Sequence, residues 1–211
     1  MRERRFDPTL YLVIDPEFCL HSPEEIALQA IHGGVTLLQL RSKTESTRDL
    51  IALATRLKKI SDRFGIPLLI NDRVDVVLAT HASGVHLGQK DLHPLDARRM
   101  LGNEAIIGFS VSNVTQAKEA SDLPVDYLGA GPVFQTLTKD AVPLSSLQDL
   151  REICTQSKQP VVGIGGINAE NASSVRKAGA KGIAVVSAIC SQEKPREMTK
   201  RLKEIQAHED I

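Results

Sequence analysis

Short apolar runs alternate with longer amphipathic stretches from one end of the chain to the other. The runs Leu10–Ile14, Thr36–Leu40, Pro67–Ile70, Gly84–Leu87, Ala105–Phe109, Asp126–Gly129, Val161–Ile164 and Gly182–Val186 have the length and apolar content of buried strands. Helical patterns occupy Pro23–His32, Thr47–Phe64, Asp96–Leu101, Val114–Ser121, Ser146–Gln156, Glu170–Ala178 and Pro195–Gln206. Local signals agree. Ser22 precedes Pro23-Glu24-Glu25 as a capping hydroxyl before a first-turn proline, and Gly33-Gly34 stops that helix. Asn168-Ala169-Glu170 opens another, which Gly179 ends.

Strands that are nearly all apolar and separated by helices predict a parallel sheet covered on its outer face. Eight such units with no left-over segment favour closure, so the expected fold is α/β, a (β/α)8 or TIM barrel. A doubly wound sheet is the alternative architecture, but no G-x-G-x-x-G follows the first strand. No linker or shift of composition divides the chain. A single domain over residues 1–211 is expected, with residues 1–8 as a flexible, solvated tail.

Composition then narrows the partners. The length of 211 residues suits one barrel near the short end of its range. With 26 basic and 26 acidic residues the formal charge is zero, which argues against nucleic acid as a partner. Aromatics at 3% and the absence of Trp argue against stacking platforms for bases. Cys19, Cys154 and Cys190 are scattered and form no C-x-x-C, so neither a disulfide framework nor a zinc site is expected. That favours a reducing cytoplasm. No apolar run is long enough to span a bilayer or serve as a signal peptide, so no membrane partner is expected. A homo-oligomer is compatible with the sequence.

Candidate chemistry follows from position, because a β/α barrel carries its active site on the loops after the strands. After the second strand, Gln39, Arg41 and Lys43 are two apart and would share a face. A guanidinium beside an ammonium makes a phosphate clamp, although R-x-K alone is an ordinary charged turn. The third strand runs into Asn71-Asp72 and the fourth into His86-Leu87-Gly88-Gln89-Lys90-Asp91. Each aspartate alone could cap a helix. Together at one rim they suit a Mg2+ ion that retains several waters. His86 reads as an interior, hydrogen-bonded histidine, and Ser110 ends the fifth strand.

After the sixth strand comes Gly129-Ala130-Gly131-Pro132-Val133-Phe134-Gln135-Thr136-Leu137-Thr138-Lys139, a loop with two hydroxyls and a cation. The seventh strand runs into Gly163-Ile164-Gly165-Gly166 and the eighth into Val186-Ser187. Glycines let backbone amides approach an oxyanion, and the loops after strands 7 and 8 are the usual phosphate site of this barrel. Two anion sites are therefore expected side by side, one cationic with carboxylates and one glycine-rich. The economical reading is two phosphorylated small-molecule substrates, one of them with a metal.

These residues, Gln39-Leu-Arg41-x-Lys43, Asn71-Asp72, His86-Leu-Gly-Gln-x-Asp91, Gly131-Pro-Val-Phe-x-Thr136-x-Thr138-Lys139 and Gly163-Ile-Gly-Gly, resemble the thiamine-phosphate synthase family in order across the chain. The resemblance implies a TIM barrel that uses Mg2+ to join a hydroxymethylpyrimidine diphosphate to a thiazole phosphate, releasing pyrophosphate and thiamine monophosphate. It implies Arg41, Lys43, Asn71 and Lys139 on the diphosphate, Ser110 near the pyrimidine end, and Gln39 on the pyrimidine. Arg41, Lys43, Ser110 and Lys139 would be the catalytic set. Asp72 and Asp91 would ligate Mg2+, while Thr136, Thr138, Gly165, Gly166, Val186 and Ser187 would hold the thiazole phosphate.

Three positions depart from the family pattern. Ser112 stands where the family often has His in S-x-H, Gln135 where a proline precedes T-x-T-K, and Ser145 where glycine is common. Two alternatives to the synthase are a thiazole tautomerase of the same superfamily and a non-catalytic sensor of phosphorylated ligands. The tautomerase would need the strand-5 histidine that Ser112 replaces and would not need the Asp pair. A sensor would need no leaving-group stabilisation.

Overall fold

The structure, a computed structural model, describes residues 6–136, 144 and 146–207. Its strands are β1 (Leu10–Ile14), β2 (Leu37–Leu40), β3 (Leu68–Asn71), β4 (Gly84–Leu87), β5 (Ile106–Val111), β6 (Tyr127–Ala130), β7 (Val161–Ile164) and β8 (Gly182–Val185). They close in sequence order into one parallel barrel, β1 pairing with both β2 and β8, so no edge is left. The helices are α1 (Pro23–Gly33), α2 (Thr47–Arg63), α3 (Val74–Thr80), α4 (Pro94–Leu101), α5 (Val114–Ala120), α6 (Leu147–Gln156), α7 (Ala172–Lys177), α8 (Ser187–Cys190) and α9 (Pro195–Ala207). Among the described residues no helix is long and apolar enough to cross a membrane.

Strand alternation divides the core in two. In β1, Leu10, Leu12 and Ile14 belong to the apolar layer shared with the helices, while Tyr11 and Val13 join Leu37, Leu69, Tyr127, Val162 and Ala184 in a separate cluster within the barrel. Both faces are apolar at mid-strand, which is why the strands read as unbroken hydrophobic runs. Two interior rings fit because glycine lies beside them. A Cβ on Gly108 would sit 2.1 Å from Cζ of Tyr127, and one on Gly129 would sit 2.9 Å from Cε1 of His86.

Helix ends follow the local chemistry. The Ser22 hydroxyl accepts the Glu25 amide at 3.3 Å, and Gly34 closes α1 in the left-handed region at φ 100°. Asn168 accepts the Glu170 and Asn171 amides, holding that segment as a turn, so α7 starts at Ala172 and not at Glu170. His93 caps α4, which therefore begins at Pro94, two residues before the expected start. Of the expected tail over residues 1–8, residues 1–5 lie outside the described residues, and Phe6 and Pro8 are packed. Phe6 packs on Tyr127 with ring centroids 5.5 Å apart, and Pro8 is buried at the N-terminal end of the barrel. Apolar burial holds Phe6 and Pro8 there.

Candidate active site

The C-terminal strand ends surround a cavity of about 540 Å³. On the β1–β4 side its lining is charged. Asp15, directly after β1, is only 1% exposed and ion-pairs with Arg41. Backbone geometry supports the pair, since the Arg41 amide donates to the Ile14 carbonyl at 2.9 Å, extending the β1–β2 pairing. Two residues on, Lys43 pairs with Asp72. The Asp72 amide donates to the His86 carbonyl at 2.8 Å, and its φ of 62° turns the chain sharply at the rim.

Neither metal candidate caps a helix. Arg73 occupies the N-cap position of α3 and His93 that of α4. Asp91 instead accepts the Gly88 amide at 2.7 Å and meets the carboxyl of Asp72. Burial, then the like-charged Asp72, push the Asp91 carboxyl above its usual range, and the Gly88 amide and Lys43 partly offset this. Among the described residues no group of three or more His, Cys, Asp or Glu gathers as a cation site. Asp72 and Asp91 are thus the pair that could hold a hard divalent cation, with waters and a ligand's phosphate completing its shell.

The cavity floor is polar and neutral. Gln39 Nε2 donates to the Tyr11 hydroxyl at 2.5 Å, and the Tyr11 and Tyr127 hydroxyls are 2.8 Å apart. His86 Nδ1 lies 2.8 Å from the Tyr127 hydroxyl, and its Nε2 lies 2.9 Å from Ser110 Oγ. Burial raises both phenols far above the usual tyrosine range, so each keeps its proton.

The β6–β8 side is lined by glycine and hydroxyl groups. Gly165 and Gly166 have φ of 98° and 64°, and a Cβ on either would strike the Pro132–Gln135 loop. Asn171 donates to the Gly166 carbonyl at 2.9 Å and fixes the turn. Thr136, Val186 and Ser187 reach the same cavity. Thr138, Lys139 and the departure Ser145 lie outside the described residues.

A family model described as thiamine monophosphate synthase matches residues 10–189. The chain belongs to that family. A thiamine-phosphate synthase of Ruminiclostridium cellulolyticum is 46% identical over 202 residues, covering 95% of this chain and 96% of that one. One from Leptospira biflexa is 48% identical, with 92% of this chain and 95% of its own covered. The solved thiamine phosphate pyrophosphorylase from Pyrococcus furiosus superposes with a TM-score of 0.88 at 37% identity, covering 97% of this chain and 98% of its own. A 3-hexulose-6-phosphate synthase at 18% identity and a TM-score of 0.69 shares the fold alone.

For this member of the thiamine monophosphate synthase family, the structure brings Gln39, Arg41, Lys43, Asn71, Asp72 and Asp91 to one part of the cavity wall. Ser110, Thr136, Gly165, Gly166, Val186 and Ser187 line the rest. Sequence reasoning missed Asp15, Tyr11 and Tyr127. Asp15 was within reach of the rule that found the others, since it is the first polar residue after a strand. The two tyrosines gave no such signal, because an aromatic inside an apolar run reads as packing. At the departure Ser112, the amide and hydroxyl both bond Gln116 Oε1, at 2.8 and 3.0 Å.

Proposed function

We propose that this barrel holds a hydroxymethylpyrimidine diphosphate against its β1–β4 side and a thiazole phosphate against its β6–β8 side, and joins them with release of pyrophosphate. Membership of the family makes the chain a transferase of thiamine biosynthesis. The observation that carries the division of labour is the single cavity walled by cations and paired carboxylates on one side and by glycine and hydroxyl groups on the other.

In this reading Arg41, Lys43, Asn71 and Lys139 bind the diphosphate. As the pyrimidine–oxygen bond ionises, negative charge gathers on the departing pyrophosphate, and fixed cations stabilise it most at that point. Asp15 holds the Arg41 guanidinium in place for this. Asp72 and Asp91 fit Mg2+, because a close carboxylate pair that pushes Asp91 up is relieved by a divalent cation. Bound there, Mg2+ would supply further positive charge to the leaving group. Thr136, Thr138, the Gly165 and Gly166 amides and the Val186-Ser187 turn position the thiazole through its phosphate. Its nitrogen then attacks the ring-stabilised cation, with proximity supplying much of the rate.

The same-superfamily tautomerase is disfavoured by Ser112, whose hydroxyl is bonded to Gln116 where that reaction would need an acid–base group. Three free cysteines support the cytoplasm as the compartment. Mixing the purified protein with both substrates and Mg2+ should release pyrophosphate in step with thiamine monophosphate. Tight binding of both ligands without release would replace the transferase by a sensor.

A further inference from the structure

Two of the three cysteines meet behind the cavity wall. Cys19 follows the Pro16–Phe18 turn after β1, and Cys190 closes α8, the short helix that begins at Ser187. Cys190 is fully buried, whereas Cys19 is only partly covered. The Leu20 amide donates to the Cys190 carbonyl at 2.9 Å, and the Ser191 hydroxyl donates to the Phe18 carbonyl at 2.9 Å. These bonds hold the backbones of Cys19 and Cys190 side by side, within reach of the roughly 4.4–6.8 Å between Cα atoms that a disulfide spans.

The side chains converge on the same strand end. Cys19 Sγ donates to the Asp15 carbonyl at 3.3 Å, and Cys190 Sγ lies 3.7 Å from the Val13 carbonyl, two residues earlier in the extended chain. The Cys190 thiol also hydrogen-bonds the Cys19 sulfur. That bond pulls the Cys19 thiol pKa down, with burial and the Asp15 carboxylate opposing it, while the same bond and burial push Cys190 up. A partly exposed thiol of lowered pKa beside a buried partner is the arrangement of a reactive and a resolving cysteine. Cys154 sits apart on α6.

We propose that Cys19 and Cys190 close into a reversible disulfide on exposure to hydrogen peroxide, and that this bond slows the enzyme by displacing Asp15 and α8. The Cys19 sulfur attacks one peroxide oxygen and breaks the O–O bond, giving a sulfenic acid and water. The Cys190 sulfur then displaces the hydroxyl from Cys19, which leaves as the second water with the Cys190 proton. Two thiols and one peroxide become one S–S bond and two waters, so the sulfurs are oxidised and the peroxide is reduced. Closure draws the sulfurs from contact to about 2 Å and removes the thiol hydrogen that the Asp15 carbonyl accepts. Asp15 holds Arg41, and α8 opens at the Val186-Ser187 turn, so one bond reaches both sides of the cavity.

The test treats the purified enzyme with hydrogen peroxide and follows pyrophosphate release and peptide masses on the same samples. A Cys19–Cys190 cross-link should form, turnover should fall by about tenfold or more, as displacements near 1 Å can cause, and dithiothreitol should restore it. Neither cysteine lines the cavity, so Cys19→Ser and Cys190→Ser should keep their basal turnover and lose the reversible response. In Cys190→Ser, dimedone should trap a sulfenic acid on Cys19. Thermal melting confirms that this buried variant folds, and Cys19→Ser, at the partly covered position, carries the test where it does not. Absence of the cross-link, a cross-link with undiminished turnover, or equal reversible inactivation of Cys19→Ser overturns the inference. The cross-link is read by mass and does not depend on the reaction assigned to the cavity.

Discussion

Asp15→Asn removes one buried negative charge from behind the proposed diphosphate clamp while preserving its shape. The wild-type carboxylate is 1% exposed, accepts the Glu17 amide at 3.3 Å and takes the Arg41 guanidinium, whose side chain is 19% exposed. Asparagine can keep the Glu17 contact and still accept from Arg41, so the change isolates charge. The bond to Arg41 stays charge-assisted from the guanidinium side but loses its anionic acceptor; moving from the strong to the weak end of the roughly 1.5–3 kcal/mol spanned by such bonds is a loss of about 1–2 kcal/mol. Breaking a fully buried pair would cost about 3–5 kcal/mol, but Arg41 opens onto the cavity and can be hydrated.

For a chain of this size, a loss of that order lowers the melting temperature by roughly 2–8 °C. If Arg41 then loses its position, the barrier rises by a similar amount and kcat/KM for the pyrimidine diphosphate falls by roughly 5–30-fold. The thiazole-phosphate KM should stay within about twofold, since the other wall is untouched. Pyrophosphate release with each substrate varied in turn, together with thermal melting, reads all three quantities. A lower melting temperature with full kcat/KM would refute the reasoning and reduce Asp15 to a brace for the Pro16–Phe18 turn. An equal loss for both substrates would mean general distortion.

Three further outcomes are expected. In the presence of pyrophosphate, Mg2+ should raise the melting temperature of the unaltered protein but not of Asp91→Ala, and that variant should lose Mg2+-dependent turnover; the same shift in both would sink the metal assignment. Gly166→Ala places a Cβ at φ 64° and 2.5 Å from the Gln135 carbonyl oxygen. It should raise the thiazole-phosphate KM by about tenfold or more, because left-handed strain alone costs about 1–2 kcal/mol and the loop must also shift; an unchanged KM would put that phosphate elsewhere. The hydrogen bond from Cys190 lowers the Cys19 thiol pKa, while burial raises Cys154 to about 11. Cys190 is raised by its bond to Cys19 and by burial. Alkylation followed by mass spectrometry should label Cys19 first as pH rises from neutral, with Cys154 later and Cys190 last; any other order refutes the contact.

How much of this was legible depended on whether a segment had one job or two. Leu10–Ile14, Gly84–Leu87 and Val161–Ile164 occupy the spans that their apolar runs marked, because strands buried on both faces need no polar alternation. Strands β3 and β6 run one residue further than expected, to Asn71, a polar residue that lines the cavity, and to Ala130, a small residue buried against the helix layer; beside the glycines and polar groups that follow, each looks like loop. Helix α3 has the sequence VDVVLAT, whose β-branched residues suit a strand, and it is helical because it must return the chain to β4. The four-residue α8 is too short to carry a period. That Arg41, Lys43, Asp72 and Asp91 would gather at one rim was legible because charge at a strand end has few structural uses. Asp15 needed only the same rule applied to β1.

The barrel floor explains why the remainder was hidden, and why the chemistry can use it. A cation placed beneath the pyrimidine would oppose the positive charge that develops on the ring, and a carboxylate there would compete with the Asp72–Asp91 pair for a divalent ion. Neutral hydrogen-bonding groups do neither. On the proposed reading they would orient the ring without taking part in its ionisation, leaving stabilisation of the leaving group to Arg41 and Lys43, which line the same cavity. The floor is tyrosine, glutamine, histidine and serine held in one chain, with glycines beneath the rings. In sequence such residues are scattered singly through apolar strands at Tyr11, Gln39, His86, Ser110 and Tyr127. Only barrel closure, which sets β1 beside β2 and β5 between β4 and β6, turns them into neighbours.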